Sequence, residues 1–448
     1  MIMIQFLYKN ITISKQSGIL FLKRFIFFLI LILSGIFSGA QNNPLKQDTI
    51  SMSIDSAQTQ FLSKNLLLLS QKYNVEATRA LIIQARLWPN PNVNFTQGAY
   101  NTRTQKWFET GKSSGEEAVQ LSQLILLAGK IKKQVKMAET NYQLAEYSLY
   151  DMLRTLKFAL RSTFFNIYFL QQTANVYDEE INSLKLIVKV FEQQKSKDYV
   201  SEADLVRVQA QLYSLQSEYQ NLIDNINDQQ SQIRLLIQVN PNVYIKPLVN
   251  AEGLKAADPL AHSLSSLLDS AYVNRPDLMI AKANLLLSQQ NYYYQKALAI
   301  PDITLGVNYD KLGSYVYNAN AIDLGLNIPI FNRNQGNIKN AKILIDFNDA
   351  QLQATQKSLE EQVMRGVQKA LDADKLYKGI DPAFASHFDE LAKGMVRNYI
   401  SKNVNLLTFL NFYDSYKQNI VQLNTILFNK VYSLENINCL SGTNFYNN

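Results

Sequence analysis

Histidine and cysteine are almost missing from this 448-residue chain, which has two histidines, His262 and His387, and one cysteine, Cys439. That scarcity excludes a disulfide framework and a CxxC metal site, and neither histidine stands in an HExxH or Ser/His/Asp arrangement. No Gly-rich phosphate loop follows a strand pattern. An enzyme is therefore not expected, and no catalytic residue, metal ligand or cofactor is assigned. The acids Glu360, Glu361, Asp372 and Asp374 read as solvated helix faces. Glycine and proline are absent from Lys130 through Asn240. Ordinary helices average about 11 or 12 residues, so a stretch without breakers on this scale predicts extended helices. Beyond residue 40 no apolar run is long enough for a membrane-spanning helix, and any insertion into a bilayer has to use strands.

The beginning of the chain has a different character. Lys23 and Arg24 precede an apolar run from Phe25 to Ile36, and Ser38, Gly39 and Ala40 come before Gln41. A charged start, a short apolar run and small residues at a cleavage point predict a signal peptide over residues 1–40. No cysteine stands at that point. Those residues hold Lys9, Lys15, Lys23 and Arg24 and no acid, so removing four from 44 bases leaves 40 against 37 acids. A balance that close to neutral gives no basic surface for nucleic acid.

What the chain does have is a repeat. Residues 64–93 lie over residues 274–303 without a gap, Pro91 on Pro301 and Val93 on Ile303. In both copies a helical run meets a proline, becomes an alternating strand, returns as a second strand and enters a long helix. This organisation predicts a first repeat over 41–239, with a strand hairpin at about 92–128 and helices over 130–198 and 201–238. A linker over 240–261, rich in proline and glycine, leads to a second repeat over 262–437. There the hairpin is expected at about 302–329 and the helices over 335–400 and 404–437, followed by a tail over 438–448. Gly366, Gly379, Pro382 and Gly394 interrupt the first of these helices, and Pro382 should break or kink it.

Ser201 with Asp204 is a capped helix start. After it, Leu205, Val208, Leu212, Leu215, Tyr219, Leu222, Ile226, Ile233 and Leu236 keep a heptad seam, with Gln229 at the vacant position. Leu406, Phe409, Tyr413, Tyr416, Ile420, Leu423, Leu427 and Leu434 repeat it.

The strands separate this chain from a plain coiled coil. Ile303, Leu305, Val307 and Tyr309 alternate with Thr304, Gly306 and Asn308, and Ile322, Leu324, Leu326 and Ile328 with Asp323, Gly325 and Asn327. About nine residues of apolar/polar alternation match a tilted strand crossing a bilayer. The first hairpin repeats the pattern with Val93, Phe95, Val119 and Leu121, although Gln97 and Gln123 interrupt its apolar face. Its charges, Arg103, Lys106, Glu109, Lys112, Glu116 and Glu117, fall in the connection, and Trp88, Tyr100 and Trp107 stand where interfacial aromatics belong. Four strands cannot close a barrel, and an open edge in hydrocarbon leaves backbone groups unpaired. The strands predict a barrel shared among several copies, with the helices continuing it as a tube.

The ordered, duplicated set of junctions resembles the TolC-type outer-membrane efflux proteins over about residues 50–437. The residues that carry it are the helix-to-strand junctions at Pro91 and Pro301, the strand-to-helix junctions 121–133 and 326–341, and the helical turns 198–213 and 402–417. The resemblance implies a mainly α fold with a transmembrane β-barrel contribution. Each chain of a homotrimer would give four β-strands to a twelve-stranded barrel and its helices to a long α-helical coiled-coil barrel in the periplasm. It also implies the exit duct of a tripartite efflux system, in contact with outer-membrane lipid, a periplasmic adaptor (membrane fusion) protein and an inner-membrane pump. The stretch 328–336 looks like the branch serving heavy-metal RND pumps, while related sequences serve drug efflux or type I protein secretion. The tips that face the adaptor and pinch the entrance map onto Asp198, Tyr199, Val200 and Ser201 and onto Lys402, Asn403, Val404 and Asn405. Asp198 stands where the family usually has glycine, and Phe409 and Phe412 stand where some relatives carry an acidic ring. A periplasmic coiled-coil adaptor or scaffold is the competing class; it would share the long hairpins and need no lipid-facing strands.

Overall fold

In a computed structural model, residues 48–446 are described apart from 112–113, 196–199, 313–315, 382–389, 392–393, 396, 400 and 402. The expected signal peptide over 1–40 lies outside the described residues. Two units are distinguished. The small one holds the chain up to Thr49 together with Asn242–Tyr244, where Asp48 N–H donates to Asn242 O at 3.2 Å. The other holds Ile50–Pro241 and Ile245–Asn448 and carries all that follows.

After β1 (Asp48–Ser53) come α1 (Ile54–Lys64) and α2 (Leu66–Arg86), capped by Ser53 and Asn65, whose side chains accept from Ser56 N–H and Leu68 N–H. The strands β2 (Asn92–Gln97), β3 (Tyr100–Asn101), β4 (Lys106–Trp107) and β5 (Glu117–Ile125) lead into α3 (Lys130–Lys195), 66 residues and about 100 Å at 1.5 Å per residue. The run without glycine or proline is what lets it continue. Next come α4 (Glu202–Ile237), β6 (Val243–Leu248), α5 (Ala251–Ala256), α6 (Leu264–Asn274) and α7 (Pro276–Leu298). Strands β7 (Ile303–Leu312) and β8 (Tyr317–Leu326), then α8 (Gln335–Lys378) and α9 (Leu406–Ser441), complete the order.

One correspondence organises these elements. The four long strands form a sheet in the order β2-β5-β7-β8. The helices joined to them, α2, α3, α7 and α8, pack each on the next in the same order. Each strand is therefore continued by a helix in a layer of unchanged sequence. On this layer α4 packs against α3, and α9 packs against both α3 and α8.

Three details depart from the expectations. The seam of α4 is regular from Leu205 to Ile226, but the next buried positions are Gln230, Ile233 and Ile237, not Gln229 and Leu236. The extra residue in the spacing is a stutter, which a helix uses to keep one face inward when a strict seven-residue repeat would drift. Gln230 is buried because it clasps the backbone of Ile245, donating to its carbonyl at 2.7 Å and accepting its N–H at 2.8 Å. Helix α8 stops at Lys378, with Gly379 as its cap, and further helix occurs within 390–399. Gly366 does not break α8; a methyl there would come within 2.6 Å of Leu440 Cδ1, so it permits close packing on α9. Helix α9 runs past 437 to Ser441, where Gly442, at φ 77°, turns the chain back. Asn438 then holds the tail, accepting from Phe445 and Tyr446 N–H and donating to Tyr446 O, and the ring of His262 lies against both Phe445 and Tyr446.

Buried charges cross-link the helices. Arg161 of α3 makes two 2.6 Å bonds to Glu435 of α9, and Lys430 of α9 meets Asp374 of α8 at 2.9 Å. Lower on the shaft, Lys417 of α9 is shared by Glu218 of α4 at 2.8 Å and Asp414 at 3.0 Å and lies over the Tyr177 ring. Glu180 of α3, 2% exposed, looks into the same cluster, and its Oε2 has no hydrogen-bond partner among the described residues. Burial pushes its carboxyl up to about 8; Lys417 pulls down without prevailing, while Asp414 and Glu218 push up further.

The native state therefore keeps a proton on Glu180 that the unfolded chain has lost, and stability falls as pH rises from the ordinary carboxylate range to about 8. The slope is at most about 1.4 kcal/mol per pH unit. We expect Glu180→Gln to flatten this part of the profile, measured as the thermal unfolding midpoint in detergent between acid and mildly alkaline pH. An unchanged slope in the variant would assign the pH dependence to other groups.

Candidate functional site

The sheet has two unlike faces, and its register makes each one continuous. Val93 is opposite Leu121, Leu121 opposite Val307 and Val307 opposite Ile322, one apolar row across all four strands. Ile125, Ile303 and Leu326 form a second row on the same face. On the other face Asn92, Ser122, Gly306 and Asp323 line up, and Gln120 donates across the strands to Asp323 Oδ2 at 3.1 Å. The apolar residues are solvent-exposed in the single chain, Ile322 at 85%. Soluble proteins rarely leave a contiguous apolar face of this kind uncovered. Gln123, which interrupts that face, donates to the carbonyls of Pro89 and Leu124, each at 2.9 Å.

At the lower rim the strands pass into helices through a buried clasp. Lys130, the first residue of α3, meets Asp302 at 2.6 Å and donates to Ile300 O at 2.8 Å, and Asp302 also accepts Leu127 N–H at 2.8 Å. This ties the β5–α3 junction to the α7–β7 junction. At the other end charges return: Lys311 pairs with Glu117 at 2.8 Å, and Tyr100 packs its ring 5.0 Å from Trp107 in the small β3–β4 hairpin.

The helical tips are the second part of the site. Asp198, Tyr199 and Lys402 lie outside the described residues. Val200 and Val404 pack against the same apolar cluster, so the turns from the two halves of the chain meet there. Ser201 caps α4 by accepting Asp204 N–H at 3.1 Å, and Asn405 caps α9 by accepting Thr408 N–H at 2.9 Å. Asn403 N–H donates to Asn398 O at 2.9 Å. Ser201, Asn403 and Asn405 are exposed while serving the turns. Phe409 has no part in lining an entrance: it is fully buried and stacked between Tyr399 at 4.6 Å and Tyr413 at 5.0 Å.

The cluster of Glu180, Glu218, Asp414 and Lys417, a few turns from these tips, belongs to no motif. One signal was present: Tyr177, Glu180, Leu184, Ile187 and Phe191 are spaced 3, 4, 3, 4, which puts an acid on an apolar seam. Among the described residues no group of three or more His, Cys, Asp or Glu is placed to hold a metal ion, and no helix is long and apolar enough to cross a membrane.

These features find counterparts in known proteins. The cobalt-zinc-cadmium resistance protein CzcC of Cupriavidus metallidurans is 20% identical over 291 residues, 65% of this chain and 66% of that protein, just under two thirds of its length. Among solved structures, the CmeC outer membrane channel of Campylobacter jejuni superposes with a TM-score of 0.71 at 16% identity, covering 88% of this chain and 86% of that one. The MtrE outer membrane channel of Neisseria gonorrhoeae gives 0.67 at 16% identity, covering 87% and 89%. Both share the fold. The family described as outer membrane efflux protein matches residues 58–237 and 267–376, more than half of the chain, and the chain belongs to that family.

Proposed function

We propose that the chain is the outer-membrane exit duct of a tripartite efflux system, a passive conduit with a large periplasmic part. The observation that carries this reading is the apolar row Val93–Leu121–Val307–Ile322, exposed across four strands and continued below by four long helices in the same order. A sheet with one face for lipid and one for water can wall a pore. A periplasmic scaffold has no use for such a face.

Three chains completing one twelve-stranded barrel is the assembly we infer. In one chain β2 and β8 each have a sheet neighbour on one side only among the described residues. The duct would work with a periplasmic adaptor and an inner-membrane pump of the RND type, because a conduit without an energy source depends on one elsewhere. For cargo we propose heavy-metal cations, on the strength of the CzcC relative. The tips, with Val200, Ser201, Asn403, Val404 and Asn405 and the neighbouring Asp198, Tyr199 and Lys402, are our adaptor-facing entrance.

Outer-membrane fractions should yield a heat-modifiable species of three times the chain mass in mild detergent; a monomer by mass measurement would overturn the shared barrel. A deletion strain should accumulate more cobalt, zinc or cadmium than its parent. Unchanged metal content with a gain in drug sensitivity would overturn the cargo and leave the duct. Asn403→Arg should abolish export while leaving assembly intact, since it places a bulky charge on an exposed turn. Export at the parental rate in that variant would remove the tip from the adaptor contact.

A further inference from the structure

Just below the apolar rows, α3 opens with Lys130, Lys132, Lys133 and Lys136 and no acid before Glu139. Lys130 is taken up by the buried clasp with Asp302. Lys132, Lys133 and Lys136 line a groove of about 440 Å³ between α3 and α7, with Gln289 and Tyr293 on its other bank. Among the described residues no acid lines this groove, and neither Lys132 nor Lys136, both exposed, has a carboxylate partner. Glu139 is turned to Arg86 of α2 at 3.5 Å.

The groove opens on the lipid-facing side. Ile303 stands in an apolar row, so Asp302, one residue earlier, belongs to the opposite face, and Lys130 reaches it there. At 3.6 residues per turn, Lys132 and Lys136 lie about 160° and about 120° around α3 from Lys130, on the side of Ile125 and Ile303. The three lysines fall within about 10 Å of the helix start, the depth of a headgroup layer bordering the strands. Tyr293, 59% exposed, adds the amphipathic ring that such a layer favours. Since α3 and α7 are the inner members of the layer α2-α3-α7-α8, a neighbouring chain joining at the edges leaves the groove uncovered.

We propose that this groove binds the headgroup phosphate of an anionic phospholipid in the periplasm-facing leaflet, with the acyl chains lying against the apolar rows. The inference rests on the outer-membrane reading above. Lysine ammonium groups with no local acid favour a net negative headgroup, whereas a zwitterionic one brings its own cation against them. The neighbouring apolar face supplies what a free phosphate cannot use.

The test uses the purified full chain in nanodiscs of equal phosphatidylglycerol and phosphatidylcholine, with retained lipid counted by native mass spectrometry after detergent release. The wild type should retain phosphatidylglycerol over phosphatidylcholine by about tenfold. Combined Lys132→Gln, Lys133→Gln and Lys136→Gln should bring the ratio near one, and the corresponding arginine variant should keep it. Equal retention in the wild type, or undiminished preference in the glutamine variant, would overturn the site. Displacement of the lipid by millimolar inorganic phosphate would also overturn it, in favour of a free-anion site. A chain that enters no disc counts against the membrane reading itself; entry without anionic preference counts against the groove alone.

Discussion

Backbone hydrogen bonding at the sheet edges is the constraint from which the rest of this architecture follows. Strands β5 and β7 are paired on both sides, while β2 and β8 are each paired on one. In hydrocarbon an unpaired peptide group costs several kcal/mol, so a four-stranded sheet with a lipid-facing side is an incomplete object. The helices continue the same unfinished edges. On α2, Leu81 and Ile83 are exposed, and on α8, Ile343 and Phe347 are exposed, although both helices are otherwise partly covered by their inner neighbours. Edge strands in need of partners and edge helices with uncovered apolar residues ask for the same solution, further copies joined edge to edge.

A layer of long helices raises a second problem, that of register. Helices with a repeating apolar seam can slide by a whole repeat at modest loss, because each position resembles the next. The buried ionic contacts are suited to prevent this. Arg161–Glu435 and Lys430–Asp374 join helices far apart in the chain, and breaking either by removing one partner strands a charge out of water. Lys130–Asp302 does the same at the point where sheet becomes helix. Such pairs add little stability over an apolar packing of the same volume; what they specify is one alignment out of several.

The sequence made the repeating parts legible and left the exceptions hidden. Alternation from Ile303 to Tyr309 and the unbroken run after Lys130 each follow from a period or an absence, and both are local properties of the chain. The stutter at Gln230 depends on Ile245, beyond the end of its own helix, and no spacing within α4 announces it. The extension of α9 depends on Asn438 receiving a tail that returns only after Gly442. The β3–β4 hairpin is two residues on each side, too short for a pattern. At the tips, Ser201 was legible as a cap because the cap is a local contact. The clustering of Glu180 with Lys417 was not, since it joins three helices.

The two ends of the structure are held by different kinds of contact, and this bears on where movement can occur. The strand end is a ladder of inter-strand backbone bonds, in which no single pair can open without disturbing its neighbours. The tips rest on one apolar cluster, in which Val200, Met395, Tyr399 and Val404 are only partly buried, and on side-chain caps at Ser201 and Asn405. Local opening is easiest where apolar contacts are few and backbone bonds reach solvent. Above that cluster stands Glu180, uncharged at neutral pH and already beside two carboxylates that share one lysine. Helix α9 is thus fastened to α3 and α4 near the tip by aromatic stacking and one overcommitted cation, while higher up it is fastened by Arg161–Glu435 and Lys430–Asp374. A duct that opens at one end needs this gradient: a wall that cannot yield, and a tip whose packing can be exchanged for contacts with a partner.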